Sequence, residues 1–450
     1  MPIIGISIAD NVRQMSGAPH SSCGASPELP PAVRGSLALT TWGLFAGLSV
    51  LLVGVGLFAT LIGVRAELEG FSTITIGLIG AAYYAGFVAG SRLTLHIVGT
   101  VGHIRVFAAL ASALAGVTLL AGLLVHPVAW IALRFLAGAL IAGVYVVAES
   151  WLNQLASNQN RARILSLYGM VTIITYGLGQ LLFTVVDPLM IVGFAIAAVA
   201  VSLAVSPVAL SAVANPPPVQ PVERLSLREM LGIAPTGVVT AFTVGIVMGA
   251  ITAFAPIYAA RSEMNVSSIG IFTAMPALGS LLFQVPVASL SDRVDRRLVG
   301  AVAAVIAAVA ALALSFEGPN SPLGYGAMVL LGGTMYPLYS IAGAYTNDRL
   351  PPARITAAAA QLVVLFGFGA LLGPFIMSIV LSVIGDNGYP YAAAALLAAI
   401  ALFLAVRIAQ HPARERAHPE QEVALDAAVL QIPATAVAMG RRLRPRRQRR

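Results

Sequence analysis

Apolar residues run along this chain in long, nearly unbroken stretches, and polar residues are largely confined to the gaps between them. The stretches lie near 36–62, 74–98, 104–125, 128–153, 163–186 and 189–211. They resume near 236–260, 268–290, 298–315, 322–346, 354–384 and 389–408. A helix that crosses the hydrocarbon core of a bilayer needs about 20 mainly apolar residues, and these runs are of that order. Their backbone groups would find no water there, so helical hydrogen bonding is expected throughout. The pattern predicts an all-α polytopic membrane protein with 12 transmembrane helices in two six-helix bundles. The stretch "NPPPVQPVERLSLREM" (Asn215–Met230) is proline-rich and charged and cannot continue a helix through lipid. The expected organisation is a disordered cytoplasmic tail over 1–35, an N-terminal bundle over 36–211 and a cytoplasmic linker over 212–235. A C-terminal bundle over 236–408 and a basic cytoplasmic tail over 409–450 follow.

Composition agrees. The chain is 58% hydrophobic and only 10% charged, whereas soluble domains are roughly half apolar and about a quarter charged. All 26 basic residues are arginine, and their positions orient the spans. With both termini cytoplasmic, the outside loops hold only Arg65 and Arg261, while 22 arginines fall inside. The outside loops carry acids instead, among them Glu67, Glu69, Glu263 and Asp386. The bias toward positive inside loops therefore puts both termini in the cytoplasm. The crowded run Arg441–Arg450 suits anionic lipid headgroups, at about 1 kcal/mol per arginine, better than nucleic acid. Cys23 is the only cysteine, which excludes an internal disulfide and a multi-cysteine metal site. No cofactor or metal is expected, and the chain is read as a monomer.

The two sets of six spans repeat. Arg161 and Arg354 each open a fifth span, and Asn153 and Asn347 each close a fourth, at offsets of 193 and 194 residues. The same shift carries the charged loop Asp292–Arg297 onto Gly99–Ile104, between the second and third spans. Two parallel repeats on a long linker are the plan of a transporter with its site between the halves.

Within that plan, "SDRVDRR" (Ser291–Arg297) resembles the signature loop of the major facilitator superfamily. Asp292, Arg293, Arg296 and Arg297 match it, while Ala288 and Asp295 stand where glycines are usual. The first-half copy keeps Gly102 and Arg105 but has Gly99 in place of the acid. "RFLAG" (Arg134–Gly138) matches a buried Arg-x-x-x-Gly pattern of the fourth span. "GHIRVFAAL", "VVAESWLN", "YGLGQLL" and "FGFGALLGP" look like a bacterial branch, the YcaD-like facilitators. The resemblance covers about residues 36–408 and implies a multi-pass protein of the bacterial inner membrane. It also implies that the charged loops gate by alternating access. Exposed ion pairs are worth about 0–1 kcal/mol each, so several together make a contact that thermal motion can open. Asp292 is further expected to favour a neighbouring helix N-terminus.

Polar groups inside spans are costly and are functional candidates by default. Arg134 lies about 10 Å deep at 1.5 Å per residue. Its own helix offers no carboxylate in reach, so its partner is expected to be a carbonyl, a tyrosine or glutamine, or the substrate. In antiporters of the family the matching arginine is linked to proton coupling, which the resemblance extends to Arg134 as one option. Glu149 lies near the inner end of the fourth span, at the depth of Arg92 and near Arg161 and Arg105. Among arginines it is expected to stay ionised and to serve in the gate. The family also implies that the first, fourth, seventh and tenth spans line the cavity, which offers Trp42, Tyr145, Thr243, Tyr336 and Tyr339, with Gln180 and Gln361 from the fifth and eleventh. Such a lining fits a neutral polar or weakly anionic organic solute. No span shows the paired acids, metal set or nucleophile–base pair of an enzyme. A proton-coupled carrier, a facilitated-diffusion uniporter and a non-transporting sensor all stay open.

Overall fold

The computed structural model describes residues 37–156, 160–211, 225–351 and 354–411. The basic tail, the N-terminal tail and most of the proline-rich break lie outside the described residues. Thr41–Arg450 forms one compact unit, and of the preceding forty residues only Leu37–Thr40 are described, as the opening of the first helix. The described residues contain helices and no strand. Among the described residues, twelve helices are long and apolar enough to cross a membrane.

In the first half, α1 spans Leu37–Leu68, α2 Thr73–Val101, α3 His103–Leu123, α4 Pro127–Leu155 and α5 Arg161–Leu182. The sixth crossing is split into α6 (Val192–Leu203) and α7 (Val205–Ala209). Pro207 is the reason, since it has no N–H to offer the Leu203 carbonyl. A short helix, α8 (Leu227–Ile233), lies inside the expected linker. It starts with a capping box in which Ser226 accepts from the Glu229 N–H and Glu229 accepts from the Ser226 N–H. The second half comprises α9 (Pro235–Arg261), α10 (Val266–Arg293), α11 (Arg296–Glu317), α12 (Pro322–Asn347), α13 (Ile355–Ile384) and α14 (Gly388–Gln410). The connections alternate between two faces. One carries the acids expected outside and is called here the acidic end; the other is the arginine-rich end.

Local chemistry sets the helix boundaries. Ser72, Asn265 and Ser321 cap α2, α10 and α12 through their side chains. Proline occupies the first turn of α4, α9 and α12, where its missing N–H costs nothing. Gly102, at φ 94°, makes the turn between α2 and α3 without a connecting segment.

Helix association in lipid gains little from apolar burial and depends on close packing of small residues. Here the repeat becomes visible in three dimensions. A Cβ on Gly86 would lie 1.8 Å from the Phe135 carbonyl oxygen, and one on Gly138 1.9 Å from that of Tyr83. These contacts seal α2 against α4. The second half repeats them 193 or 194 residues on, with Gly279 at 1.9 Å from the Val329 oxygen and Gly332 at 2.2 Å from that of Pro276. Likewise Gly56 against Tyr176 and Gly179 against Val53 return as Gly249 against Ala370 and Gly373 against Ile246. The offset read from Arg161 and Asn153 is thus the offset of the helix-packing pattern itself.

Candidate functional site

The halves meet along α2 with α13 and α5 with α10. Their described packing contacts run from mid-helix to the acidic end. Gly63 lies against Pro256, Gly77 against Ser378, Gly80 against Pro374 and Gly270 against Thr184. Ser267 donates to the Thr184 carbonyl at 3.1 Å. The deepest contacts are Val88 with Gly367, Gly177 with Ala277, and a 3.2 Å hydrogen bond between the Tyr84 and Thr252 hydroxyls. The halves are therefore closed at the acidic end.

Below this seal lies a wall of tyrosines drawn from both halves. Arg134, on α4, holds its guanidinium carbon 4.4 Å from the Tyr83 ring centroid and 5.5 Å from that of Phe58. Its Nε is buried with no hydrogen-bond partner. Of the partners expected for this arginine, a tyrosine supplies the contact, through its ring face rather than its hydroxyl. Tyr84 and Tyr176 are also within electrostatic range of Arg134, and Tyr336 of the second half is within range of both. Tyr145 packs on Phe87 at 6.3 Å, and Tyr339 on Phe366 at 5.1 Å.

Toward the arginine-rich end lies Glu149. Its described partner is the Tyr168 hydroxyl, which donates to Oε1 at 3.3 Å. Tyr145 and, across the halves, Tyr339 are within its electrostatic range. The arginines expected around this carboxylate are placed as follows. Arg92 and Arg105 are exposed on α2 and α3, and the side chain of Arg161 lies outside the described residues. His103 and Ser150 instead form the polar contact between α3 and α4, at 3.0 Å.

The remaining cavity candidates divide. Thr243 donates back to the Val239 and Thr240 carbonyls of its own helix, so its proton is already used. The Gln361 amide donates to the Leu225 carbonyl at 2.9 Å, tying α13 to the chain entering α8 at the arginine-rich end. Trp42, near that end of α1, is 46% exposed. Gln180 sits where α5 meets Gly270 of α10. Tyr83 and Tyr84 did not stand out in the sequence, because the second span was not expected to line the cavity, and Tyr176 was passed over in the fifth span for Gln180. The adjacent pair "YY" in an otherwise aliphatic α2 was the available signal.

The charged loop is organised within the second half. Arg296 donates to Asp292 at 2.8 Å, Asp348 at 2.7 Å and Ser291 at 3.2 Å, bracing the ends of α10, α11 and α12. Arg297 pairs with Asp295 at 2.7 Å and donates to the Arg407 and His411 carbonyls at the end of α14. Asp295 caps α11, accepting from the Arg297 N–H. The Arg297 guanidinium holds the Asp295 carboxyl below the usual carboxylate range, against the opposing effect of partial burial. Arg293 is exposed.

Comparison with known proteins agrees with this architecture. Residues 238–447 match the sequence model of the Major Facilitator Superfamily. The uncharacterised MFS-type transporter YcaD of Escherichia coli (strain K12 / DH10B) is 26% identical over 381 residues, covering 83% of this chain and 97% of that protein. Among solved structures, the nucleoside transporter NupG superposes with a TM-score of 0.64 at 16% identity, covering 84% of this chain and all of that one. A bacterial homologue of the human lysosomal transporter Spinster, in an inward-facing and unoccupied conformation, gives 0.64 at 16%, covering 90% of this chain and all of that one. A D-xylose–proton symporter gives 0.62 at 14%, covering 81% of this chain and 96% of that one.

Proposed function

Because this chain belongs to the Major Facilitator Superfamily, we propose that it is a secondary transporter of a small, weakly anionic organic solute, working by alternating access between its two halves. With the arginine-rich end cytoplasmic by the positive-inside rule, closure at the acidic end makes this the inward-facing state. The observation that carries the solute class is Arg134. It is a cation in a wall of tyrosines, with its buried Nε unpartnered and only tyrosines as its described electrostatic partners. An arginine with a free buried donor keeps strong hydrogen-bonding capacity for an anion. The surrounding phenols add hydroxyl groups and flat apolar faces for the rest of the molecule. Nucleosides and xylose are named as cargo of structural relatives, which fits a hydroxyl-bearing solute here.

Proton coupling is the second reading, and Glu149 favours it. Its described partner is a neutral phenol, which a protonated carboxyl can keep as a hydrogen-bond partner. One experiment addresses both readings: uptake and efflux by the purified protein in liposomes, with sugars, nucleosides, organic anions and amino acids, with and without a pH gradient. Arg134→Ala is expected to lower flux of an anionic solute by about tenfold or more, the scale of one charge-assisted hydrogen bond. Glu149→Gln is expected to abolish the response to the gradient while leaving exchange at equal pH. Gradient-independent flux in the parent protein would make it a uniporter. No flux of any class would bring forward a sensor built on a transporter fold.

A further inference from the structure

The acidic end is fastened by one arginine. Arg261, the last residue of α9, donates through Nη2 to Glu67 Oε2 at 2.9 Å and Thr73 Oγ1 at 2.8 Å, and through Nη1 to Asp386 Oδ1 at 3.1 Å. Glu67 and Thr73 belong to the first half, on α1 and α2, whereas Asp386 lies in the α13–α14 turn of Arg261's own half. One guanidinium therefore faces both halves with separate nitrogens. It is well shielded, at 14% exposure, while Asp386 is open to solvent at 57%. The other arginine of this end is engaged elsewhere, since Arg65 binds Glu69 and the Pro188 and Leu189 carbonyls of the first half.

Arg261 and Asp386 are held together independently of their ion pair. The α9 terminus closes in a tight turn, with Met264 N–H donating to the Ala259 carbonyl and Glu263 at φ 57°. Gly385, at φ 82°, ends α13 and sets Asp386 in a second tight turn. Tyr258, three residues before Arg261, stacks on Tyr389, three residues after Asp386, at 4.6 Å and 18°. The two side chains thus ride on one rigid platform, and Glu67 and Thr73 ride on the other half.

From this geometry we propose that Arg261 is the external latch of the transport cycle, with Glu67 and Thr73 as its closing partners and Asp386 as the partner that keeps it paired when the latch opens. The proposal rests on the alternating-access reading. When the halves separate at this end, Nη2 leaves Glu67 and Thr73, and the Nη1–Asp386 pair travels unbroken with the second half. The cation is never left without a carboxylate, so at Arg261 opening exchanges only one ion pair and one hydrogen bond for water. The two carboxylates act in opposite directions. Loss of Glu67 weakens the closed state, and loss of Asp386 weakens the open one.

Opposite signs make the test sharp. The full chain with Cys23→Ser receives reporter cysteines by His126→Cys and Glu317→Cys, one exposed position at this end of each half. Spin-label distances across the mouth are then measured by pulsed electron paramagnetic resonance in lipid nanodiscs without any solute. Glu67→Gln is expected to raise the ratio of wide to narrow distances by about 1.4- to 5-fold, the range for one exposed ion pair. Asp386→Asn alone is expected to lower the ratio, because Glu67 still holds Arg261 when the mouth is closed and no carboxylate holds it when the mouth is open. An unchanged distribution in Glu67→Gln, or an Asp386→Asn variant as wide as the parent or wider, overturns the proposal. Thr73→Val, which removes only the hydrogen bond, is expected to move the ratio the same way by less. It serves as the deciding variant if Glu67→Gln does not yield folded protein. Because the readout uses no solute, a protein without flux that shows this order upholds the latch while the transport reading fails. Flux with an unmoved distance distribution does the reverse.

Discussion

Arg134 shows how a charge is kept in an apolar span at tolerable cost. The face of Tyr83 supplies a contact worth about 0.5–2 kcal/mol, depending on how dry the site is. The ring does this, not the hydroxyl, so Tyr83→Phe should leave the melting temperature of the solubilised protein nearly unchanged, whereas Tyr83→Ala should lower it clearly. Equal losses in both would put the interaction on the hydroxyl. At the arginine-rich end, Asp295 answers to pH. Its folded pKa is depressed by Arg297, so its stabilising contribution is complete above the unfolded value of about 3.9 and lost as pH falls through the folded value. Asp295→Asn should therefore melt at a lower temperature than the parent at pH 7, with the gap closing below about pH 4. Melting curves collected across that range would check it, and a gap that persists in acid would assign the effect to packing.

Element-scale packing rests on glycines at matched positions of the two halves. A methyl at Gly138 or Gly332 would sit 1.9 or 2.2 Å from a backbone oxygen of the facing helix, and a backbone oxygen cannot rotate away. Gly138→Ala and Gly332→Ala should each cost about 1–3 kcal/mol as the helix pair is forced apart. Gly116, in α3, has nothing within 4 Å of its would-be Cβ. Gly116→Ala should be neutral or stabilise by up to about 1 kcal/mol through helix propensity. Thermal unfolding of the three variants side by side separates a packing role from a general dislike of substitution. Apolar pattern alone places all three glycines in spans; only the facing helix distinguishes them.

For the whole molecule, the position of the seal is the decisive feature. The charged loop Asp292–Arg297 suggested a contact between halves at the arginine-rich end. The partners described for Arg296 and Arg297 instead belong to the second half, and among the described ion pairs the one that crosses between halves is Arg261–Glu67 at the opposite end. The proposed alternating access accommodates both observations, because in it only one end is fastened at a time. In this state the loop braces its own bundle, and the external latch carries the closure. The wall of tyrosines around Arg134 lies between the two ends, where a solute would be passed from one side to the other.

Span number, the repeat and its offset followed from the sequence by itself, because lipid leaves backbone groups no partner outside a helix and apolar length is therefore informative. Arg134, Glu149, Tyr145, Tyr336 and Tyr339 also stood out there, as polar or aromatic groups where such groups are costly. Their neighbours did not. That Tyr83 faces Arg134, that Tyr168 donates to Glu149 and that Gln361 reaches Leu225 are contacts between segments distant in sequence, and periodicity within one helix does not encode the rotation of the next. Nor does it encode which end is closed. In the proposed cycle one sequence supports both states, so the choice between them is made by contacts between the halves, such as Arg261 with Glu67, that exist only in space.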